Sequence, residues 1–131
     1  MGLIYLDSNI LIYANEDETG SGTRVLAAIA GAAPDRLAVS PLVKMECLVK
    51  PIRSGDFALH RQYEGWFGKF IALEMPEAVF SQATLLRARF GLKTPDALHL
   101  ACAQHHGCTA LWTNDGRLAK ASHGLAIDVL G

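Results

Sequence analysis

The chain has 131 residues, of which 50% are hydrophobic and 19% charged, and its formal net charge is −1. This length is in the single-domain range and allows a substantial core, so we expect one domain over residues 1–131 without long disorder. The near-neutral balance excludes the overall basicity common in nucleic-acid-binding domains, although a local metal site can hold a phosphate without it.

The first predicted strand is the apolar run at residues 3–6, which ends at Asp7. Consecutive apolar residues are typical of a strand buried on both faces at the centre of a parallel sheet. Ser8 or Asn9 can cap the helix expected over residues 9–14. Because ligands gather at the carboxyl ends of strands in open α/β sheets, Asp7 is a functional candidate. The alternative is that Asp7 only caps the helix.

The rest of the chain alternates helices with strands. In order, we predict a loop over 15–22, a helix over 23–33, a strand over 37–39, a helix over 41–49, a helix from 54–56 to about 70, a strand over 71–75, a helix over 76–90, a helix over 94–106, a strand over 110–113, a short helix ending near 121 and a weak strand over 126–129. This alternation predicts a parallel sheet with helices on both faces.

Proline and glycine set most of these boundaries. Pro41 and Pro76 are predicted to start helices, Gly91 ends one, and Gly31 with Pro34 ends the helix over 23–33. Pro51 is expected to break the helix that begins at Pro41.

An aromatic stripe lies on the helix that runs to residue 70. Tyr63, Trp66, Phe67 and Phe70 are three or four residues apart and share one face. We predict that this face packs in the core, as bulky aromatic side chains usually do. An exposed surface for stacking nucleic-acid bases is the alternative.

The chain offers no sign of a membrane or secreted protein. No apolar run approaches the roughly 20 residues that span a bilayer, and the N-terminus lacks the features of a secretory signal. Cys47, Cys102 and Cys108 are odd in number and irregularly spaced, unlike a disulfide framework. A cytoplasmic protein with no membrane partner is therefore expected.

Four acids stand where this layout can bring them together. Asp7 ends the first strand, Glu46 lies on the helix after the second, Asp96 is second in its helix and Asp115 follows the fourth strand. Each alone has an ordinary role as a solvated, helix-stabilising or capping acid. Together they predict a site, and the helix start favours the ionised form of Asp96. Mg²⁺ or Mn²⁺ takes oxygen ligands of this type and relieves their mutual repulsion.

The segments that carry these acids resemble the four acidic blocks of the PIN domain, and more narrowly those of the VapC toxins of toxin–antitoxin pairs. The segments are YLDSNILI at 5–12, VKMECL at 43–48, TPDALHLA at 94–101 and LWTND at 111–115. They occur in the family's order, and the similarity covers nearly the whole chain.

This resemblance implies a three-layer α/β/α sandwich with a five-stranded parallel sheet. It also implies a Mg²⁺- or Mn²⁺-dependent endoribonuclease toxin that hydrolyses RNA phosphodiester bonds, is often a homodimer and is neutralised by a cognate VapB-type antitoxin. The acidic positions fall on Asp7, Glu46, Asp96 and Asp115, with Asp7 and Asp96 as direct metal ligands. The flanking polar positions fall on Ser8 or Asn9 and on Thr113 or Asn114.

Other functions remain open on the sequence alone. The same fold in a non-toxin RNA-binding or processing module with weak or no catalysis is the main alternative. A phosphotransferring aspartate at Asp7 is disfavoured, because haloacid-dehalogenase-like phosphatases need a second Asp where Asn9 stands, and no paired acids of a response-regulator receiver are present.

A zinc site is the last alternative. His99, Cys102, His105, His106 and Cys108 crowd one helix and its exit, but their spacing fits no common zinc signature. We expect His99 instead to be a packed residue or a neighbour of the acidic site.

Overall fold

The computed structural model describes residues 2–17, 19–33 and 36–129. The strands are β1 (Ile4–Leu6), β2 (Leu37–Val39), β3 (Ile71–Ala72), β4 (Ala110–Thr113) and β5 (Ala126–Asp128). The helices are α1 (Ser8–Glu16), α2 (Gly20–Gly31), α3 (Pro41–Ser54), α4 (Phe57–Phe67), α5 (Glu77–Phe90), α6 (Thr94–His105) and α7 (Gly116–Ala121). Pro34, predicted to help end the second helix, lies outside the described residues.

The strands form one parallel sheet in the order β3-β2-β1-β4-β5. The central strand β1 pairs with β2 on one side and β4 on the other, and Ile4 is in register with both Leu37 and Ala110. From β1 the chain adds β2 and then β3 on one side, and later adds β4 and β5 on the other side. Because each crossover is right-handed, this change of direction places helices on both faces of the sheet. The predicted α/β fold with a five-stranded parallel sheet is confirmed. The gap between β1 and β4 is the switch point where such sheets bind ligands.

The core lies against β1, β2, β4 and one unusually buried helix. Tyr5 and Leu6 are fully buried, and every residue of α6 from 97 to 103 is buried, including His99. The aromatic stripe on α4 and just after it also packs inward. Tyr63, Phe67 and Phe70 are each less than a tenth exposed, and Trp66 is partly buried against the core. The predicted core role of that stripe is confirmed.

Two predicted boundaries are wrong. Pro51 does not break α3 but lies buried inside it, and the helix ends at Gly55, whose φ of 67° is in the left-handed region that favours glycine. Of the predicted loop over 15–22, residues 15–16 belong to α1 and residues 20–22 to α2, because Thr19 caps α2 by accepting a hydrogen bond from the amide of Ser21. Gly22 allows this tight turn, since a Cβ there would lie 1.9 Å from the carbonyl oxygen of Asp17.

None of the helices in residues 2–17, 19–33 and 36–129 combines the length and the hydrophobicity of a membrane span.

Candidate acidic site

Asp7 lies at the carboxyl end of β1 and is only 3% exposed. Its Oδ2 accepts a hydrogen bond of 2.9 Å from the hydroxyl of Thr113 at the end of β4. Asp7 is also the N-cap of α1, because its Oδ1 accepts from the amide of Asn9 at 3.4 Å. The prediction that Ser8 or Asn9 caps this helix is therefore wrong. The capping role and the position in an acidic site coexist in Asp7.

Ser8 connects Asp7 with Glu46 of α3. Its hydroxyl lies 3.0 Å from Oε1 of Glu46 and 3.3 Å from Oδ1 of Asp7. A serine hydroxyl carries a single proton, so it cannot donate fully to both carboxylates at once. The two acids, 39 residues apart in the chain, are thus held next to one another around one shared donor.

His99 completes the surroundings of Glu46 from inside the core. Its Nε2 lies 2.6 Å from Oε1 of Glu46 and 3.8 Å from Oδ1 of Asp7. Its Nδ1 lies 2.7 Å from the hydroxyl of Tyr5, which in turn lies 2.7 Å from Oγ of Ser40. With Nε2 donating to Glu46, a neutral imidazole accepts at Nδ1 from Tyr5. Burial raises the pKa of Tyr5 well above its usual value, so this proton stays on the phenol.

The ionisation of Glu46 reflects two opposing effects. Burial disfavours its charged form, but the hydrogen bonds from His99 and from the Ser8 hydroxyl outweigh burial and lower the pKa of Glu46 below its usual value. Glu46 is therefore a carboxylate at neutral pH.

The pKa of Asp96 is shifted upward, opposite to that of Glu46. It is the third residue of α6 rather than the second, because the helix begins at Thr94 after the N-cap Lys93. Burial raises the pKa of Asp96, and the negative charges of Asp115 and Asp7 raise it further. The expectation that the helix start favours the ionised form is therefore wrong for the protein without a cation. Burial, with the neighbouring carboxylates adding to it, outweighs the helix dipole.

Asp115 follows β4 and caps α7, where its Oδ1 accepts a 2.8 Å hydrogen bond from the amide of Arg117. Its own amide donates to Oγ1 of Thr113 at 3.1 Å. Since the same Thr113 hydroxyl donates to Asp7, one side chain joins the loop of Asp115 to the end of β1.

Of the four flanking polar candidates, two contact the acids through their side chains and two do not. Ser8 and Thr113 contact the acids through their hydroxyls, whereas Asn9 is exposed and reaches Asp7 only through its backbone amide. Asn114 points to Tyr13 instead, with its amide nitrogen 3.1 Å from the phenol oxygen.

The donor chemistry of this site fits a hard divalent cation. Among the described residues no Lys or Arg forms an ion pair with the four acids Asp7, Glu46, Asp96 and Asp115. Their charges are consequently left to repel one another, and this repulsion adds to burial in raising the pKa of Asp96. Over 2–17, 19–33 and 36–129, however, no group of three or more ligating side chains is already arranged to hold a metal. The acids are gathered at one edge of the sheet but are not closed into a cage.

The histidines and cysteines near α6 do not form a common ligand set among the described residues. Sγ of Cys102 and Nε2 of His106 face the carbonyl oxygen of Glu74, at 3.8 and 2.7 Å, while His99 faces Glu46. Burial raises the pKa of Cys102 to about 12 and that of Cys108 to about 11, which disfavours the thiolates that zinc needs. The prediction that His99 is packed beside the acidic site is confirmed.

Tyr5 and Ser40 were not predicted as parts of this network. The available signal was periodicity: Tyr5 lies two residues before Asp7 on the same face of β1, and His99 lies one helical turn after Asp96.

Comparisons with known proteins bear on the fold. The family profile described as PIN domain matches residues 4–124. None of the curated proteins matches the chain. Three similar solved structures illustrate the fold. A toxin–antitoxin complex from Klebsiella pneumoniae is 22% identical with a TM-score of 0.80, covering 96% of this chain and 97% of that chain.

The other two structures are more distant in sequence. DNA-bound VapBC from Salmonella typhimurium is 17% identical with a TM-score of 0.80 and 98% of each chain covered. The sarcin-ricin loop cleaving toxin VapC20 from Mycobacterium tuberculosis is 15% identical with a TM-score of 0.76, covering 90% of this chain and 94% of that chain. At these identities the likeness establishes the fold.

Proposed function

The chain belongs to the PIN domain family, and we propose on this basis that it is a metal-dependent endoribonuclease acting as a VapC-type toxin. The observation that carries the proposal is the gathering of carboxylates from β1, α3, α6 and the β4 loop at the switch point, without a Lys or Arg partner among the described residues. The structural neighbours supply the choice of substrate, because one of them is a toxin that cleaves the sarcin-ricin loop, an RNA element.

In this proposal Asp7 and Asp96 are the direct ligands of Mg²⁺ or Mn²⁺, and Glu46 and Asp115 complete the site or orient water. A bound divalent cation lowers the pKa of water and neutralises charge that develops on the phosphate. The hard oxygen ligands and the raised pKa of Asp96 support this choice, because a cation relieves the same repulsion that a proton does.

The remaining residues position the acids. Ser8 and Thr113 restrict the rotation of the Asp7 carboxylate, each by a hydroxyl contact. His99 holds one oxygen of Glu46, whose side chain is 27% exposed and so retains access to solvent. Glu46 as a carboxylate can accept a hydrogen bond from a water molecule at the edge of the sheet.

Two protein partners belong to the proposal: a second copy of this chain and a cognate VapB-type antitoxin. Several structural neighbours are toxin–antitoxin complexes. The chain also exposes large apolar side chains, with Met45, Ile52 and Phe57 more than half exposed, as surfaces that meet other proteins often do. A cytoplasmic location fits the three free cysteines.

The first test is cleavage by purified protein. The wild type, freed of metal by chelation and then given Mn²⁺ or Mg²⁺, should cut single-stranded RNA and leave DNA of the same sequence intact, with fragments resolved on denaturing gels. Asp7→Asn should abolish cleavage with an unchanged circular dichroism spectrum. Glu64→Gln on α4 is the matched control and should cut normally. RNA binding without cutting in the wild type would instead support the non-catalytic module.

The toxin role needs a test in cells. Inducible expression should arrest growth, and co-expression with the neighbouring antitoxin reading frame should restore it. Arrest by Asp7→Asn, or no arrest by a wild type that cuts RNA in vitro, would contradict the toxin role while leaving the nuclease intact.

A further inference from the structure

A cleft of about 640 Å³ opens beside the acidic site, between the end of α5 and the start of α7. Its lining residues are Phe90, Leu92, Asp115, Gly116, Arg117 and Lys120. Asp115 belongs both to this cleft and to the group of acids, since its backbone amide donates to the Thr113 hydroxyl, which in turn donates to Asp7. The cleft is therefore continuous with the proposed reaction centre.

Positive charge dominates the open side of the cleft. Arg117 and Lys120 are exposed and three residues apart on α7, so their side chains lie on neighbouring positions of one helix face. Within the described part of the chain neither side chain forms an ion pair with a carboxylate. The cleft thus offers two cationic side chains to an anionic ligand, next to an acidic site whose own negative charges repel such a ligand.

An aromatic ring forms the apolar side of the cleft. Phe90 is 44% exposed at the end of α5, and its ring meets His123 edge-on, with 6.4 Å between ring centroids and 75° between planes. His123 has a φ of 51°, the left-handed conformation that costs a non-glycine residue free energy. The His123 ring therefore supports Phe90 from a sharp turn of the backbone while much of the Phe90 ring stays exposed.

We propose that this cleft binds the nucleotide next to the scissile phosphate of a single-stranded RNA. The base stacks on Phe90, and the flanking phosphates contact Arg117 and Lys120. This inference rests on the proposed nuclease function and deepens it. An acidic centre repels a polyanion, and a chain of net charge −1 offers no overall attraction, so substrate binding requires local cations near the acids. An exposed aromatic side chain between them suits a splayed base, because every base has a face that stacks.

Binding without cleavage tests this directly. A fluorescein-labelled single-stranded RNA octamer of random sequence is titrated with protein in EDTA, and anisotropy gives Kd at several salt concentrations. Arg117→Gln combined with Lys120→Gln should weaken binding and reduce the slope of log K against log salt by about 0.7 for each phosphate that the protein no longer neutralises. Phe90→Leu, which keeps an apolar side chain, should weaken binding roughly tenfold without changing the salt slope.

The matched controls are Arg61→Gln and Phe57→Leu, which change exposed residues of α4 outside the cleft. Both should bind RNA like the wild type. Unchanged affinity in the cleft variants, equally weakened binding in the controls, or no RNA binding by the wild type would overturn the cleft assignment. A wild type that binds through the cleft but cuts no RNA with Mn²⁺ would refute the nuclease proposal alone. If all cleft variants cleave RNA with a normal KM, the assignment of the cleft to RNA binding would be refuted and the nuclease proposal would stand.

Discussion

Nε2 of His99 lies 2.6 Å from Oε1 of Glu46, so a histidine buried in the core fixes an acid at the edge of the sheet. The contact continues through Nδ1 to Tyr5 and from Tyr5 to Ser40, and all three inner residues are almost fully buried. The polar network thus joins β1, β2, α3 and α6 beneath the acids. A buried network is stable only when each member has its partner, so loss of one hydroxyl affects the others.

Tyr5→Phe tests this network. The change removes one hydroxyl and leaves Nδ1 of His99 and Oγ of Ser40 without that partner, which should lower the free energy of unfolding by about 1–3 kcal/mol. Urea denaturation followed by circular dichroism measures the loss. Tyr13→Phe, at a half-buried tyrosine of α1, is the control and should cost less. Equal stability of Tyr5→Phe and the wild type would mean that the network contributes nothing to folding.

Much of this fold was predictable because its signals are local. Buried strands appear as apolar runs such as residues 110–113, and Gly91 ends α5 with a φ of 66°, as expected of a helix-ending glycine. The prediction for Pro51 was wrong because the cost of a proline inside a helix, one lost donor and a clash of its ring with the carbonyl four residues earlier, can be offset by burial against the core.

The convergence of the candidate acids was predictable, but their hydrogen-bond partners and ionisation were not. Strand ends and helix starts locate Asp7, Asp96 and Asp115, but the ionisation of Asp96 depends on how deeply it is buried and on how near other carboxylates lie after folding. Long-range contacts such as Tyr5 with His99, 94 residues apart, have no local signal.

Thr113 offers a second test, because its hydroxyl donates to Asp7 and accepts from the amide of Asp115. Thr113→Val keeps the shape but removes both hydrogen bonds, and should reduce cleavage at least tenfold and stability by about 1–3 kcal/mol. Thr113→Ser retains the hydroxyl and should stay within a few-fold of the wild type in kcat. Activity in the valine variant equal to that of the serine variant would exclude a positioning role for the hydroxyl.

The two perturbed acids predict opposite pH effects on stability without metal. Glu46 has a lowered pKa when folded, so the stability it contributes is present above its unfolded pKa and is lost as pH falls through the folded value. Asp96 has a raised pKa, so its ionisation costs stability above the folded value, and protonation relieves that cost as pH falls. Melting temperatures of the wild type, Glu46→Gln and Asp96→Asn from pH 3 to 7 measure the two effects. Relative to the wild type, Glu46→Gln should lose the stabilisation above the unfolded pKa, and Asp96→Asn should lose the cost of ionisation above the folded pKa.

A bound divalent cation should relieve the cost of ionising Asp96, as protonation of Asp96 does. At neutral pH without metal, Asp96→Asn should be more stable than the wild type by about 0.5–1 kcal/mol, because one repelling charge is gone. Mn²⁺ should raise the melting temperature of the wild type by mass action and raise that of Asp96→Asn much less. Glu77→Gln, which removes an exposed acid from the first turn of α5, should respond to Mn²⁺ as the wild type does. An equal response in Asp96→Asn would show that the ion binds elsewhere.

The proposed homodimer has a candidate surface on α3. Met45, Val49 and Ile52 lie at helical spacing and are 58%, 44% and 62% exposed. Met45 also lines the adjoining groove with Phe80 of α5, so the apolar face continues across two helices.

Ile52→Lys places a charge in the middle of that face, and burying an unpaired charge costs more than a typical interface contact contributes. We expect the wild type to elute as a dimer and Ile52→Lys as a monomer in size-exclusion chromatography with light scattering. Leu26→Lys, which alters an apolar side chain of α2 that is 41% exposed, is the control and should remain a dimer. A dimeric Ile52→Lys protein would place the interface on another face, because an isologous contact repeats the lysine on both copies and doubles its cost.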